Sequence, residues 1–115
     1  MYICPMYSKE LIKGTLKTII LRLLEENGRM YGYEITQRVK EITEGQLVLT
    51  EGALYPTLHK LESAGLLTTE KEFIGKRVRK YYSLTPSGNT ETLNKVNEFQ
   101  EFVRVMQLIL KPKTA

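Results

Sequence analysis

The spacing of apolar positions divides the chain into four helical stretches and one extended hairpin. Over residues 9–26, Ile12, Leu16, Ile19, Ile20 and Leu23 recur at the spacing that gives a helix one apolar face. Ser8 is its cap and Asn27-Gly28 its stop. Tyr31-Gly32-Tyr33-Glu34 opens a second helix that reaches about residue 43 and carries the stripe Ile35, Val39 and Ile42. Glu44-Gly45-Gln46 is a turn. The third helix, within residues 50–67, has both ends marked. Thr50 caps it, Glu51 sits where the helix dipole favours an anion, and Gly65 supplies the left-handed stop. Leu54, Leu58 and Leu61 form its buried stripe. Residues 66–73 and 78–84 are rich in strand formers and flank Ile74-Gly75-Lys76-Arg77, which predicts a two-stranded β-hairpin. Alternation puts Val78, Lys80, Tyr82 and Leu84 on one face, and Arg77, Arg79, Tyr81 and Ser83 on the other. Thr85-Pro86 starts the last helix, a cap followed by proline where its missing amide costs nothing. That helix runs to about residue 110 and ends at Lys111-Pro112-Lys113. Residues 1–7 are an irregular arm, Pro5 discouraging helix at Cys4.

The polar faces carry the candidate chemistry. Opposite its leucine stripe, the third helix presents Gly52, Ala53, Pro56, His59 and Lys60, small or unbranched towards its start. Two readings fit: a plain amphipathic core helix with a tolerated proline, or a helix that pushes its N-terminal end into a groove. Pro56 lacks the amide that would bond to Gly52 and predicts a kink. Tyr31 and Tyr33 either pack the entry of the second helix or donate hydroxyls to phosphate. Lys9, Lys13 and Lys17 form a row that is either a solvated face or a set of phosphate contacts. Around the hairpin tip stand Lys71, Lys76, Arg77, Arg79 and Lys80. Five cations so close repel one another; the tip is either simply solvated or meets a polyanion partner, which would relieve a real cost. The last helix carries Val96, Phe99, Val103, Met106 and Leu110, flanked by Phe102 and Ile109, a stripe wider than one small domain needs to cover.

Composition narrows the functions. The chain has 115 residues, enough for one modest core, and a net charge of +4 that permits a polyanion partner. It holds one histidine, one cysteine and no aspartate, so a Ser-His-Asp triad is impossible. No phosphate-binding glycine loop and no metal-ligand cluster is evident, which predicts no catalytic residue, no metal and no cofactor. A lone cysteine excludes an internal disulfide and fits a reducing cytoplasm. No apolar run approaches the ~18 residues of a membrane span, and no signal peptide is recognisable.

Three helices followed by a hairpin with a basic tip is the order of a winged helix-turn-helix, whose third helix is the reader. Lys9-Glu10-Leu11-Ile12-Lys13-Gly14-Thr15-Leu16, Tyr31-Gly32-Tyr33-Glu34-Ile35, Glu51-Gly52-Ala53-Leu54-Tyr55-Pro56-Thr57-Leu58, Leu61-Glu62-Ser63-Ala64-Gly65-Leu66 and Lys80-Tyr81-Tyr82-Ser83-Leu84-Thr85-Pro86-Ser87-Gly88 together resemble the PadR family of bacterial transcriptional regulators, in the family's order. The resemblance implies a mainly α protein with a small hairpin: a DNA-binding winged domain with its N-terminal arm over residues 1–85, and a C-terminal dimerisation helix and tail over residues 86–115. It implies a cytoplasmic homodimer bound to a palindromic operator on double-stranded DNA, usually as a repressor. Thr50, Glu51, Gly52, Ala53, Tyr55, Pro56, Thr57, His59 and Lys60 would then belong to the reading helix. Tyr31, Tyr33, Lys71, Lys76, Arg77, Arg79 and Lys80 would serve the wing and the DNA backbone. Ile12, Leu16, Val96, Phe99, Phe102, Val103, Met106 and Ile109 would build the dimer interface. Some relatives take aromatic or drug-like effectors, so a small-molecule effector of unknown identity belongs among the candidate partners. The tryptophan used by some of them is missing here. Against this stands a winged helix that contacts protein or RNA without operator specificity.

Overall fold

The computed structural model describes residues 7–112. The proposed arm, apart from Tyr7, and Lys113 lie outside the described residues. In chain order the elements are α1 (Lys9–Asn27), β1 (Arg29–Tyr31), α2 (Gly32–Ile42), α3 (Glu51–Ser63), β2 (Leu67–Ile74), β3 (Arg77–Leu84) and α4 (Pro86–Leu110). Helix α1 is the centre. Its Leu16, Ile20, Leu21, Leu23 and Leu24 are all buried, and it packs against α3, α4, β1 and β3. Leu21 and Leu24 lie outside the expected stripe, because a helix covered on several sides has no single apolar face. Ile35 and Val39 of α2, and Leu54, Leu58 and Leu61 of α3, close the core from the other side. Ile42 does not join them; it is exposed at the last position of α2, where the chain turns away. That turn uses Glu44 at φ 53° and Gly45 at φ 80°, and the Thr43 hydroxyl both donates to the Val39 carbonyl and accepts from the Leu47 amide.

The sheet has three strands rather than the expected two, in the order β1-β3-β2. β1 pairs antiparallel with β3 through Arg29↔Ser83, Met30↔Tyr82 and Tyr31↔Tyr81. A three-residue strand is too short to show alternation in a sequence, yet Met30 is buried here while its neighbours are not. The β2–β3 hairpin closes with Ile74 opposite Arg77, and Gly75 takes φ 62° as the first of its two turn residues. Leu67 and Tyr82, on the face turned to the helices, are buried, whereas Val78 on the same face is exposed towards the tip.

One junction ties the hairpin to the helices. The Thr85 hydroxyl donates to the Gly65 carbonyl at 2.7 Å and accepts from the Gly88 amide at 3.0 Å, while the Thr85 amide donates to the Leu66 carbonyl. Gly88 is buried in the first turn of α4, so close to this backbone that a Cβ would stand 3.1 Å from the Leu66 carbonyl carbon and nearer still to its oxygen. Backbone cannot rotate aside as a side chain can. Gly88→Ala is therefore expected to cost about 2 kcal/mol, seen as a fall in Tm of roughly 10 °C by thermal circular dichroism. An unchanged Tm would mean that α4 shifts freely on the junction.

Beyond its first turns α4 leaves the core. Gly88 and Thr92 are its buried residues, and Glu91 pairs with Lys17 of α1 at 3.3 Å.

Candidate nucleic-acid interface

The start of α3 is built to protrude. Thr50 caps it, its hydroxyl accepting the Ala53 amide at 3.2 Å. Glu51 and Gly52 are exposed, and a Cβ added at Gly52 would meet no atom within 4 Å. α3 runs on through Pro56 to Ser63 without a break. Pro56, His59 and Lys60 are exposed along the same helix, whereas Ala53 and Thr57 are half-buried. The Thr57 hydroxyl donates to the Ala53 carbonyl at 3.1 Å, so its proton is already committed inside the helix. Tyr55 lays its ring over Gly32 at the start of α2; a Cβ on Gly32 would approach Tyr55 Cζ to 2.7 Å. Burial, and then the negative charge of Glu51, hold the Tyr55 phenol above its ordinary pKa, so it stays a neutral donor.

Between α3 and the hairpin lies an open cleft of about 780 Å³. Tyr31, Gly32 and Tyr33 line it from the start of α2, Tyr55 and His59 from α3, and Ile74, Arg77, Val78, Arg79, Lys80 and Tyr82 from the hairpin. Residues far apart in sequence thus face one space about α3.

The cations divide into two groups. At the root of the hairpin, on the sheet's outer face, the Arg79 guanidinium lies 4.1 Å from the Tyr31 ring centroid, and Arg29 lies 3.9 Å from that of Tyr81. The two rings meet edge to face at 5.5 Å. Arg29 also pairs with Glu70 at 2.6 Å and Glu72 at 2.9 Å, and Arg79 donates to the Tyr81 hydroxyl at 3.4 Å. Tyr31 in turn stands at the head of α2, its amide donating to the Glu34 carboxylate. This ladder joins β1, β3 and β2 to the start of the helix-turn-helix. It occupies Tyr31 and Arg79, both expected to face phosphate. Arg29, Glu70, Glu72 and Tyr81 were missed with it, since the alternation put Arg79 beside Tyr81 but nothing revealed β1. On the inner face Lys80 pairs with Glu62 at 3.6 Å. The second group, Lys60, Lys71, Lys76 and Arg77, makes no ion pair among the described residues; Arg79 makes none either, but its guanidinium is held by the Tyr31 ring and the Tyr81 hydroxyl. Lys71 even stands opposite Lys80 in the ladder of strands. Four unpaired cations therefore stand at the hairpin's outer half and on α3, while Lys9, Lys13 and Lys40 are unpaired elsewhere among the described residues.

A separate surface runs along α4. Phe99, Phe102, Val103 and Ile109 are exposed, Phe102 at 56% and Ile109 at 70%, while Val96 and Met106 are half-buried. Ile12 of α1 is half-buried. Leu16 corrects the expected set: at 2% exposure it is spent in the core of its own chain. Tyr33 is exposed, so it does not pack the entry of α2.

Among the described residues, no helix is long and apolar enough to cross a membrane. The sequence model of the "Transcriptional regulator PadR-like family" matches residues 20–94. Transcriptional regulator Rv3488 of Mycobacterium tuberculosis is 30% identical over 96 residues, covering 84% of this chain and 86% of that protein. A transcriptional regulator from Clostridium thermocellum superposes with a TM-score of 0.82 at 31% identity, over 92% of this chain and 100% of the other. A PadR-like transcription factor from Bacteroides fragilis superposes with a TM-score of 0.72 at 31% identity, over 87% and 94%. The winged fold, the sequence order of its motifs and these likenesses agree: the chain belongs to the PadR-like family of transcriptional regulators, DNA-binding proteins and not enzymes.

Proposed function

We propose that the protein is a cytoplasmic repressor that binds a palindromic operator as a homodimer, with residues 1–85 reading DNA and residues 86–115 holding the dimer. The observation that carries this reading is the free N-terminal end of α3 beside the unpaired cations of the wing. The exposed end of α3 fits a major groove, and Lys76 and Arg77 stand where an adjacent phosphate or minor groove would pass. A dimer seated on a promoter blocks polymerase by occupying the same duplex, so repression asks for no further surface.

Selection of bound duplexes from a random pool tests the reading and returns the site together. The expected result is a palindrome with half-sites about one helical turn apart, and affinity that falls steeply with salt as counterions are released. A single asymmetric half-site would sink the homodimer. Preference for single-stranded RNA over duplex would sink the DNA assignment.

Two arginines separate contact from positioning. Arg77→Ala should weaken specific and non-specific duplexes alike and make the salt slope shallower by about one unit. Arg79→Ala should also weaken binding, because it loosens the stack on Tyr31, but with the salt slope unchanged. A slope shallower by one for Arg79→Ala would place its guanidinium on a phosphate instead.

A further inference from the structure

The outer end of the wing is apolar as well as basic. Phe73 is 76% exposed, its cross-strand partner Val78 is 52% exposed, and Ile74 beside the turn is exposed too. Single exposed apolar residues are ordinary, but Phe73 and Val78 are paired on one face at the end of the hairpin, with Ile74 beside the turn on the other. Phe73 lies on the face of the sheet that carries Tyr82 and Lys80, which turns towards α3, and Val78 opposite it lines the cleft. The surface is therefore continuous with the DNA-reading face. Its surroundings decide the partner. Lys71, Lys76 and Arg77 flank it without an ion pair among the described residues, so an apolar protein surface docking here would have to bury free cations. A DNA minor groove accepts both chemistries at once: phosphates take the cations, and a base step takes an apolar side chain wedged between its members.

We propose that the wing tip enters the minor groove beside the operator half-site, where Phe73 wedges into a base step and bends the duplex. The proposal rests on the DNA-reading assignment of α3 and the wing. The Arg29–Tyr81 and Arg79–Tyr31 stacks stiffen the root of the hairpin, so the tip meets the duplex as a rigid wedge instead of folding back. Pyrimidine–purine steps unstack most easily, so the wedge also selects a flexible step at a position that α3 never touches.

The test uses end-labelled duplexes recovered from the pool selection, with a TA step or an AA step at the wing-contacted flank. Bending is read by energy transfer between the ends, and affinity by titration. Wild type should bend the TA duplex and prefer it. Phe73→Ser should lose the bend and roughly tenfold in affinity for the TA duplex, with an unchanged salt slope because no charge is removed. Phe73→Leu should keep most of both. The side chain is exposed, so both variants should fold, which circular dichroism checks. Unchanged bending and affinity for Phe73→Ser would overturn the wedge while leaving the DNA reading in place. A change in sedimentation would make the tip a contact between copies of the chain. Binding of wild type, but not Phe73→Ser, to anionic vesicles with DNA bending intact would make it a lipid contact. Failure of wild type to bind any duplex is a different outcome: it removes the DNA reading and the wedge together.

Discussion

Gly52→Glu is expected to abolish operator binding at physiological salt and to leave the fold intact. Gly52 is the second residue of α3, exposed, with no atom within 4 Å of where its Cβ would stand. Nothing inside the chain resists a larger side chain there. Glutamate is in fact a better helix residue than glycine, and a carboxylate in the first turn suits the helix dipole, so stability should hold or rise slightly. The cost falls only on the complex. The new side chain would stand on the end of the helix that enters the groove, next to Glu51, and bring a second negative charge against the duplex. Like charges pressed together at an interface cost several kcal/mol, so at least a hundredfold loss of affinity follows from charge alone, before bulk is counted. Gly52→Ala adds little bulk and no charge and should lose far less. Fluorescence anisotropy on the selected operator, beside circular dichroism of the free protein, reads both halves of the claim. Retained binding would move α3 off the groove; loss of helix content would make Gly52 structural.

The sequence carried most of the helices because each one advertises its ends. Thr50, Gly65 and the Thr85-Pro86 pair all do in the structure what their chemistry requires of them. Strand β1 was invisible for a physical reason: only its middle residue, Met30, is buried, so no period can be read. The ladder on the outer sheet face was lost with it. Arg79 looked like a free cation because its partner Tyr31 is distant in sequence, and pairing across strands is set by register, which the residues alone do not reveal. Not all of the hairpin's cations are left without a partner, since Lys80 is answered by Glu62 of α3, a pairing that the spacing of residues does not reveal. Leu16 and Leu23 sit on one stripe with Ile12, and nothing in that spacing says which of them the core consumes. Burial of a central helix on several sides decides that, and it is a property of the assembled fold.

Phe102→Glu is expected to turn the protein towards monomer and to cut operator affinity without touching a DNA-facing residue. The reasoning starts from what α4 leaves uncovered. Phe99, Phe102, Val103 and Ile109 are exposed on a helix whose buried residues all lie near its start. An apolar stripe of that length is larger than a soluble monomer usually presents, and an isologous pairing about a two-fold axis covers it twice over with one surface. Phe102 is already partly covered at 56% exposure, so completing its burial is worth about 1 kcal/mol per copy, and both copies gain it. The glutamate does more than remove this. In a symmetric interface it sets two carboxylates into an apolar seam, each of which must stay hydrated or be left unpaired. Together these terms weaken the dimer by roughly three orders of magnitude at about 4 kcal/mol. The DNA effect follows from geometry: a monomer presents one α3 and one wing, and the second half-site is then bound independently instead of as part of one body. The isolated fold should survive, because Phe102 lies outside the buried core. Sedimentation at micromolar concentration reads the assembly and anisotropy on the palindrome reads the affinity. A wild type that sediments as a clean monomer would sink the dimer and the palindromic operator with it; a Phe102→Glu variant that stays dimeric would move the interface to another face.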